Sequence, residues 1–176
     1  MAQYNLAGLL HTHFKDYEGA CRGYERALQI DPNAGMVHSN LAELLHTRFN
    51  DHEGARRHWE RFLQIDPNSA VGHNNLALFL ANHSQGYAGA RRGFECALHI
   101  DPNYALAQHN LAGLLHHRLM DYEGARRCYA RVLQIDPNHC LAHLDLGTLL
   151  LESFRDLEGA NREFEIALRI TKPVMW

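Results

Sequence analysis

Apolar side chains recur along the chain at intervals of three and four residues, in two runs separated by a short polar stretch. Between residues 40 and 65 these runs are Leu41, Leu44 and Leu45, and then Ala55, Trp59 and Phe62. This spacing places the apolar side chains of each run on one face of an α-helix. Neither run alternates apolar and polar residues as a half-buried strand would. The pattern therefore predicts a pair of helices, A and B, joined by a short turn.

The same pattern is written five times, with a period of 35 residues. The residues that open the pattern of helix A are Asn5, Asn40, Asn75, Asn110 and Asp145. The string Ile-Asp-Pro-Asn recurs at the same interval after helix B, first at residues 30–33. A repeat of this size is one supersecondary unit that must stack on its neighbours to bury its apolar face. We therefore predict an all-α solenoid of five helix-turn-helix repeats, with ten helices.

We expect a single repeat domain over residues 1–176. Its repeats are predicted at about 1–33, 34–68, 69–103, 104–138 and 139–172, followed by a C-terminal tail at 173–176. Aspartates mark the turns between helices. Asp51 is predicted to cap the second helix B, and Asp66 the next helix A, with Pro67 at its first helical position. Glycines at one repeated position of helix B are expected to allow close helix packing: Gly19, Gly54, Gly89, Gly124 and Gly159.

Small and aromatic residues hold fixed places in each repeat. In the first repeat they are Ala7, Ala20, Tyr24, Ala27 and Pro32, with counterparts in the later copies. This pattern resembles the tetratricopeptide repeat (TPR), and the resemblance covers essentially the whole chain. The unit is a 35-residue variant, one residue longer than usual in the A–B turn, and strings such as Asp-Tyr-Glu-Gly-Ala give it some Sel1-like character. The resemblance implies a right-handed α-solenoid whose A helices line a concave groove.

A ladder of polar residues is expected to face this groove: Asn5, Asn40, Asn75, Asn110 and Asp145. An amide side chain donates and accepts hydrogen bonds at once, which suits the backbone of an extended peptide. In one glycosyltransferase that carries such repeats, asparagines at this position bind substrate backbone, and the resemblance extends that role to this chain. The alternative is that these side chains bond only within the solenoid. Further groove residues are expected at Tyr4, Asn74, His109, His11, His46 and His116.

A metal site and a cofactor are not expected. His11, His46 and His116 form a row, but one helix-packing distance separates neighbouring repeats by about 10 Å, too far for a single zinc ion. The sequence contains no glycine-rich phosphate loop and no hydrolase motif, which predicts that the protein is not an enzyme. Helix A also carries no lysine or arginine beside the asparagines, so the family's clamp for a C-terminal carboxylate is not expected.

Charge and composition narrow the partners further. With 17 basic and 20 acidic residues the formal net charge is −3. Most arginines of helix B follow a glutamate by four residues and can pair with it. Nucleic acid is therefore not expected as a partner. No apolar run approaches the roughly 20 residues of a membrane-spanning helix. The four cysteines form no C-x-x-C pair, which indicates a reducing compartment, the cytoplasm or another intracellular one.

These observations predict a non-enzymatic scaffold that binds a protein or an extended peptide in the concave groove. The alternative is a structural solenoid that assembles end to end as a homo-oligomer, with no specific groove ligand. Apolar residues near the C-terminus motivate this second hypothesis: Leu157, Phe164 and Leu168, with Val174, Met175 and Trp176 expected as a partial lid.

Overall fold

The computed structural model describes residues 2–83 and 86–171, and in these residues the chain forms ten α-helices and no strand. The helices are α1 (Ala2–Leu9), α2 (Tyr17–Ile30), α3 (Gly35–Arg48), α4 (His52–Ile65), α5 (Ala70–His83), α6 (Tyr87–Ile100), α7 (Ala105–His117), α8 (Tyr122–Ile135), α9 (Cys140–Leu149) and α10 (Leu157–Thr171). α1 and α9 each continue into one π-helical turn, Leu10–Phe14 and Leu150–Phe154. The prediction of an all-α chain of ten helices is confirmed. The predicted tail at 173–176 lies outside the described residues.

The chain divides into two compact units, Met1–Phe79 and Leu80–Trp176, and the division falls within α5. In the first unit α1 pairs with α2, α3 pairs with α4, and α2 packs against α3. In the second unit α7 pairs with α8 and α9 with α10, and α6 and α8 pack against the A helices that follow them. Each unit thus stacks consecutive helices along the chain, as the period predicts.

Alanines and one aromatic residue per repeat form the core of each unit. In the first unit Ala7 and Ala20 have no exposed surface, and Tyr24 is almost completely buried beside them. A Cβ atom added at Gly23 on α2 would lie 2.8 Å from the Cβ of Ala7 on α1, so α1 and α2 approach closely. In the second unit Ala125 and Tyr129 occupy the equivalent positions and are also fully buried. The small residues permit close approach, and the rings fill the remaining space.

Aspartate side chains cap the B helices, as predicted for Asp51. The carboxylate of Asp51 accepts a hydrogen bond from the backbone N–H of Gly54 at 2.8 Å. The same bond recurs from Gly19 to Asp16, from Gly124 to Asp121 and from Gly159 to Asp156. A Cβ atom at any of these four glycines would meet the capping carboxylate. The expectation that they serve helix–helix packing is therefore wrong for these positions: the close neighbour is the cap.

The prediction that Asp66 caps the following helix A is also wrong. Asp66 ends α4, and its backbone N–H donates to the carbonyl of Phe62 at 2.8 Å, whereas α5 begins only at Ala70. In three other repeats the equivalent aspartate accepts from the N–H two residues later, at 3.0 Å: Asp31 from Asn33, Asp101 from Asn103 and Asp136 from Asn138. A side chain that satisfies so near a donor closes a tight turn, and proline follows because it cannot continue the helix.

The turn from helix A to helix B contains a residue in the left-handed conformation. Its φ angle lies between 53° and 57° in four repeats, at Lys15, Asn50, Met120 and Arg155. The N–H of the next residue, the capping aspartate, donates to a carbonyl six residues earlier; from Asp51 to Leu45 this distance is 3.0 Å. This bond satisfies a carbonyl that the end of helix A leaves without an intrahelical donor. The chain consequently reverses within a few residues, and the last turn of helix A lies beside the first turn of helix B.

Arginines on helix B contact the Ile-Asp-Pro-Asn turn of the preceding repeat. Arg61 donates through Nη2 to Oδ1 of Asn33 at 2.8 Å, and Arg131 makes the same bond to Asn103 at 2.9 Å. In each case Nη1 of the arginine also donates to a glutamine three residues later on its own helix, at 3.1 Å. The guanidinium fork therefore joins one repeat to the preceding repeat at the surface.

Candidate binding site

A cavity of about 830 Å³ lies in the first unit, between α1 and α3 and the turn that follows α1. Its lining residues are Tyr4, Asn5, Gly8, Leu9, His11, Thr12, Lys15, Tyr17, Tyr24, Asn40, Glu43 and Arg48. Four of the residues singled out from the sequence meet here: Tyr4, Asn5, His11 and Asn40. A concave site that combines aromatic surface with a few polar groups is typical of ligand pockets.

Asn40 and Tyr4 are connected at the cavity wall. Nδ2 of Asn40 donates to the hydroxyl of Tyr4 at 3.2 Å, and the ring centroid of Tyr4 lies 6.3 Å from that of Tyr24. Burial raises the pKa of Tyr24, and the nearby Tyr4 adds to this shift, so its hydroxyl keeps its proton at neutral pH. Asn5, from the same ladder, is exposed at the cavity. The cavity thus presents amide and hydroxyl groups that both donate and accept hydrogen bonds.

Two cations that the sequence analysis did not assign to the groove also line this cavity. Arg48 is the last residue of α3, and its guanidinium carbon lies 4.5 Å from the ring centroid of Tyr17. Lys15 is the left-handed residue of the turn after α1. The expectation of no cation beside the asparagines considered only residues next to them in sequence, whereas both cations come from the ends of helix A. Glu43 adds one acidic group, so the cavity has mixed charge.

A second, more apolar cavity of about 490 Å³ shares Tyr4 with the first. Its other lining residues are Ala27, Ile30, Asp31, Ala34, Gly35, Met36 and Val37, from the end of α2 and the start of α3. Ile30 and Met36 are largely exposed there. Tyr4 therefore lines both the larger cavity, which carries the polar groups, and the more apolar cavity.

In the second unit the last ladder position is occupied by Asp145. Its Oδ2 lies 2.9 Å from Nε2 of His109, whose ring lies 5.2 Å from that of His139. His109 and Asp145 hold the same repeat positions as Tyr4 and Asn40. In each unit one ladder residue, Asn40 or Asp145, therefore contacts the residue before the ladder position of the preceding repeat, which agrees with the alternative of bonding within the solenoid. The cavity lined by Asn5 and Asn40 is present together with the hydrogen bond between Asn40 and Tyr4.

Two of the predicted groove residues are buried in their units. Asn74 is 1% exposed and donates to Oδ1 of the ladder residue Asn75 at 3.1 Å. His116 is 4% exposed against Tyr129, and burial is the main reason that its pKa is lowered. Both side chains take part in internal packing and offer no surface to a ligand in this conformation. Asn110 is half-buried.

His46 is half-buried and lies among rings. Its centroid is 5.7 Å from that of Trp59, 5.6 Å from that of Phe79 and 5.5 Å from that of His52. It therefore belongs to a different environment from His11, which lines the cavity.

Comparison with known proteins matches one repeat of the chain to a protein family. A family model for the tetratricopeptide repeat matches residues 107–139. No curated protein matches the sequence. No helix in the described part of the chain has both the length and the apolar character that crossing a membrane requires.

Solved structures share the fold at low sequence identity. The chain is similar to MamA (21% identity, 93% of this chain and 93% of that chain, TM-score 0.82). It is also similar to PilW, a type IV pilus biogenesis factor (22% identity, 99% and 78%, TM-score 0.85). A third similar structure is YrrB, described as a TPR protein with an unusual peptide-binding site (20% identity, 96% and 84%, TM-score 0.74). One repeat thus matches the tetratricopeptide-repeat family directly, and the solved structures share the fold along the chain.

Proposed function

We propose that this chain is a non-enzymatic scaffold that binds an extended segment of a partner protein at the surface of α1 and α3. The observation that carries the proposal is the cavity that brings Asn5 and Asn40 together with Tyr4. These groups can pair with the N–H and C=O groups of a peptide backbone. The TPR fold and the peptide-binding site ascribed to YrrB support it.

The lining of the two cavities indicates what kind of segment would bind. Lys15 and Arg48 would attract an acidic side chain or a carboxylate, with Arg48 oriented by its position over Tyr17. The apolar cavity beside Tyr4 would accept an aliphatic side chain against Ile30 and Met36. The preferred segment is therefore extended, with an acidic and an aliphatic residue close together.

A reducing intracellular compartment is part of the proposal, supported by the free state of all four cysteines, Cys21, Cys96, Cys128 and Cys140.

The test begins with a random-peptide library displayed on phage and selected on the immobilised chain. Enriched peptides are then synthesised with a fluorescent label and titrated by anisotropy. Asn40→Ala should weaken binding roughly fivefold, since one hydrogen bond is worth about 1 kcal/mol. Asn68→Ala, an exposed asparagine in the turn after α4, is the matched control and should bind like the parent.

A further variant separates the role of the Asn40 amide from its bond to Tyr4. Tyr4→Phe removes the hydroxyl that Asn40 contacts but keeps the ring and the amide. If Tyr4→Phe weakens binding as much as Asn40→Ala, the amide only positions Tyr4. Selection of no peptide, or equal affinity of Asn40→Ala and the parent, would contradict the proposal.

Self-assembly remains the second candidate function, and one observation favours it. Leu157 and Leu168 on α10 are 64% and 58% exposed. Such apolar exposure on one helix is a feature of association surfaces.

A further inference from the structure

We propose that His46 and His52 form a binding site for a borderline divalent transition-metal ion such as Zn²⁺, Ni²⁺ or Cu²⁺. The proposal is independent of peptide binding, because neither histidine lines the cavities of the candidate binding site. Imidazole nitrogen is a preferred ligand of these ions.

The A–B turn of the second repeat brings the two histidines together. His46 lies in the last turn of α3, and His52 is the first residue of α4. Between them Asn50 adopts the left-handed conformation, with φ of 53°, and reverses the chain. As a result Nδ1 of His46 lies 3.4 Å from Nδ1 of His52. The Nδ1 atoms of two histidines six positions apart in sequence therefore lie close to each other.

This separation is the one that a shared metal ion requires. Two nitrogens that each lie about 2.0–2.1 Å from a tetrahedral zinc ion are about 3.3 Å apart. The two rings could therefore bind one ion with movements of a few tenths of an ångström. Both side chains are half-buried, so water or a group from a partner can complete the coordination.

A second histidine pair in the same unit has a shorter distance between its ring nitrogens. Nδ1 of His38 and Nδ1 of His58 are 2.8 Å apart, a hydrogen-bond distance, and Nε2 of His38 lies 3.1 Å from the carbonyl oxygen of Pro32. His38 is buried, and both of its nitrogens are engaged. An ion here would have to break these bonds, so this pair serves as an internal control.

The surroundings of the proposed site are aromatic. The ring of Trp59 lies 5.7 Å from that of His46, and the ring of Phe79 lies 5.6 Å from His46 and 6.1 Å from His52. These rings shield one side of the site from water and fix the orientation of the imidazoles. Trp59 also makes the site observable, because Cu²⁺ and Ni²⁺ quench indole fluorescence at short range.

The paired histidines occur in the second repeat alone. The equivalent positions hold His11 and Tyr17, Ala81 and Tyr87, His116 and Tyr122, and Leu151 and Leu157. In the first and fourth repeats the tyrosine packs edge-on against the histidine, with centroids 6.0 and 6.2 Å apart. The helical period relates histidines of different repeats, and it does not reveal a pair formed across a turn within one repeat. His52→Tyr therefore reproduces an arrangement that this chain already uses twice.

The experiment titrates CuCl₂ and NiCl₂ into the chelator-treated chain and follows the fluorescence of Trp59 in a Trp176→Phe background. We expect saturable quenching with one ion per chain, reversed by a chelator and competed by ZnCl₂. His52→Tyr and His46→Gln should each weaken binding about tenfold or more, since each removes a ligand. His58→Gln, in the hydrogen-bonded pair, should bind like the parent.

The variants distinguish binding at His46 and His52 from binding at other histidines. Circular dichroism first establishes that each variant is folded, and His52→Gln replaces His52→Tyr if the tyrosine variant is not. Loss of tight binding in the His46 and His52 variants, with His58→Gln unaffected, supports the site. Equal binding in all variants would assign the metal to scattered surface histidines and overturn the proposal, as would the lack of saturable quenching.

Discussion

Trp59 occupies the aromatic position of helix B that elsewhere is Tyr24, Phe94, Tyr129 and Phe164. It is 4% exposed, which confirms its predicted place in the core, and its indole Nε1 has no hydrogen-bond partner among the described residues. A buried donor without a partner costs about 1–3 kcal/mol. The position therefore needs a large ring but not the indole nitrogen.

We accordingly predict different costs for two substitutions at Trp59. Trp59→Ala leaves a cavity and should lower the free energy of unfolding by about 3–5 kcal/mol. Trp59→Phe keeps most of the ring, removes the unpaired donor and matches the third and fifth repeats, so its cost should stay below about 1.5 kcal/mol. Urea denaturation followed by circular dichroism measures both. Equal losses would show that the nitrogen, not the ring volume, determines stability here.

His58 gives the first unit a dependence on pH. Burial is the largest cause that lowers its pKa, followed by the neighbouring His38 and then Arg57, while Asp51 acts in the opposite direction. Because the unfolded chain then binds the proton more readily, stability from this group is fully present above pH 6.5, the ordinary pKa of histidine, and is lost as the pH falls below it.

The corresponding prediction concerns the slope of stability with pH. The free energy of unfolding should decrease between pH 6.5 and 5, and His58→Gln should make this decrease smaller. His116, whose pKa burial also lowers, leaves part of the slope in place. Urea titrations at several pH values measure the slope, and parallel curves for the parent and His58→Gln would contradict the assignment.

At the scale of the element, the B helices differ in how they begin. Asp121 caps α8 through its carboxylate, whereas Gly86 at the start of α6 provides no side-chain cap. A capping aspartate is typically worth about 1 kcal/mol. We therefore predict that Asp121→Ala lowers the free energy of unfolding by about this amount, and that Gly86→Asp raises it by up to about 1 kcal/mol.

The control for the added cap is Gly86→Ala, which supplies a Cβ atom without a carboxylate. Thermal denaturation of the three variants beside the parent distinguishes the contributions. If Gly86→Ala stabilises the chain as much as Gly86→Asp, the gain comes from reduced freedom of the unfolded backbone rather than from capping.

The helices were predictable from the sequence because apolar spacing determines which face is buried, and five copies of the pattern agree. The turns were less predictable. An aspartate before a proline, such as Asp66, can cap a helix or close a turn, and local sequence does not distinguish the two. The site was predictable in part: Asn5 and Asn40 meet at a cavity, but Lys15 and Arg48 join them only because a left-handed turn redirects the ends of helix A. Contacts across that turn have no signature in helical periodicity.

At the scale of the whole molecule, association of chains is the open alternative. Leu157 and Leu168 lie eleven residues apart on α10, which is three helical turns and hence one face. In the four other repeats the residue equivalent to Leu168 is half-buried: Leu28, Leu63, Leu98 and Leu133. We propose that a second copy of the chain covers this face of α10.

We predict concentration-dependent association of the parent in sedimentation velocity. Leu157→Glu combined with Leu168→Glu should shift the chain to monomer by placing charge on the apolar face. Arg162→Glu, an exposed position on the same helix, changes the net charge by the same amount and should leave association intact. A parent that remains monomeric at high concentration would remove the basis for the assembly hypothesis.

The pairing of two ladder positions with the preceding repeat has a consequence for how the chain reaches its fold. These two hydrogen bonds, from Asn40 to Tyr4 and between His109 and Asp145, each join residues 36 apart, little more than one period. Contacts that connect only adjacent repeats give a low contact order, so little loop entropy is lost before they form. Any hairpin can then serve as the folding nucleus, and growth can proceed from it in either direction. An order of folding among the repeats would arise from their unequal local stabilities. We expect folding to extend most slowly across α6, because its N-terminus has no side-chain cap.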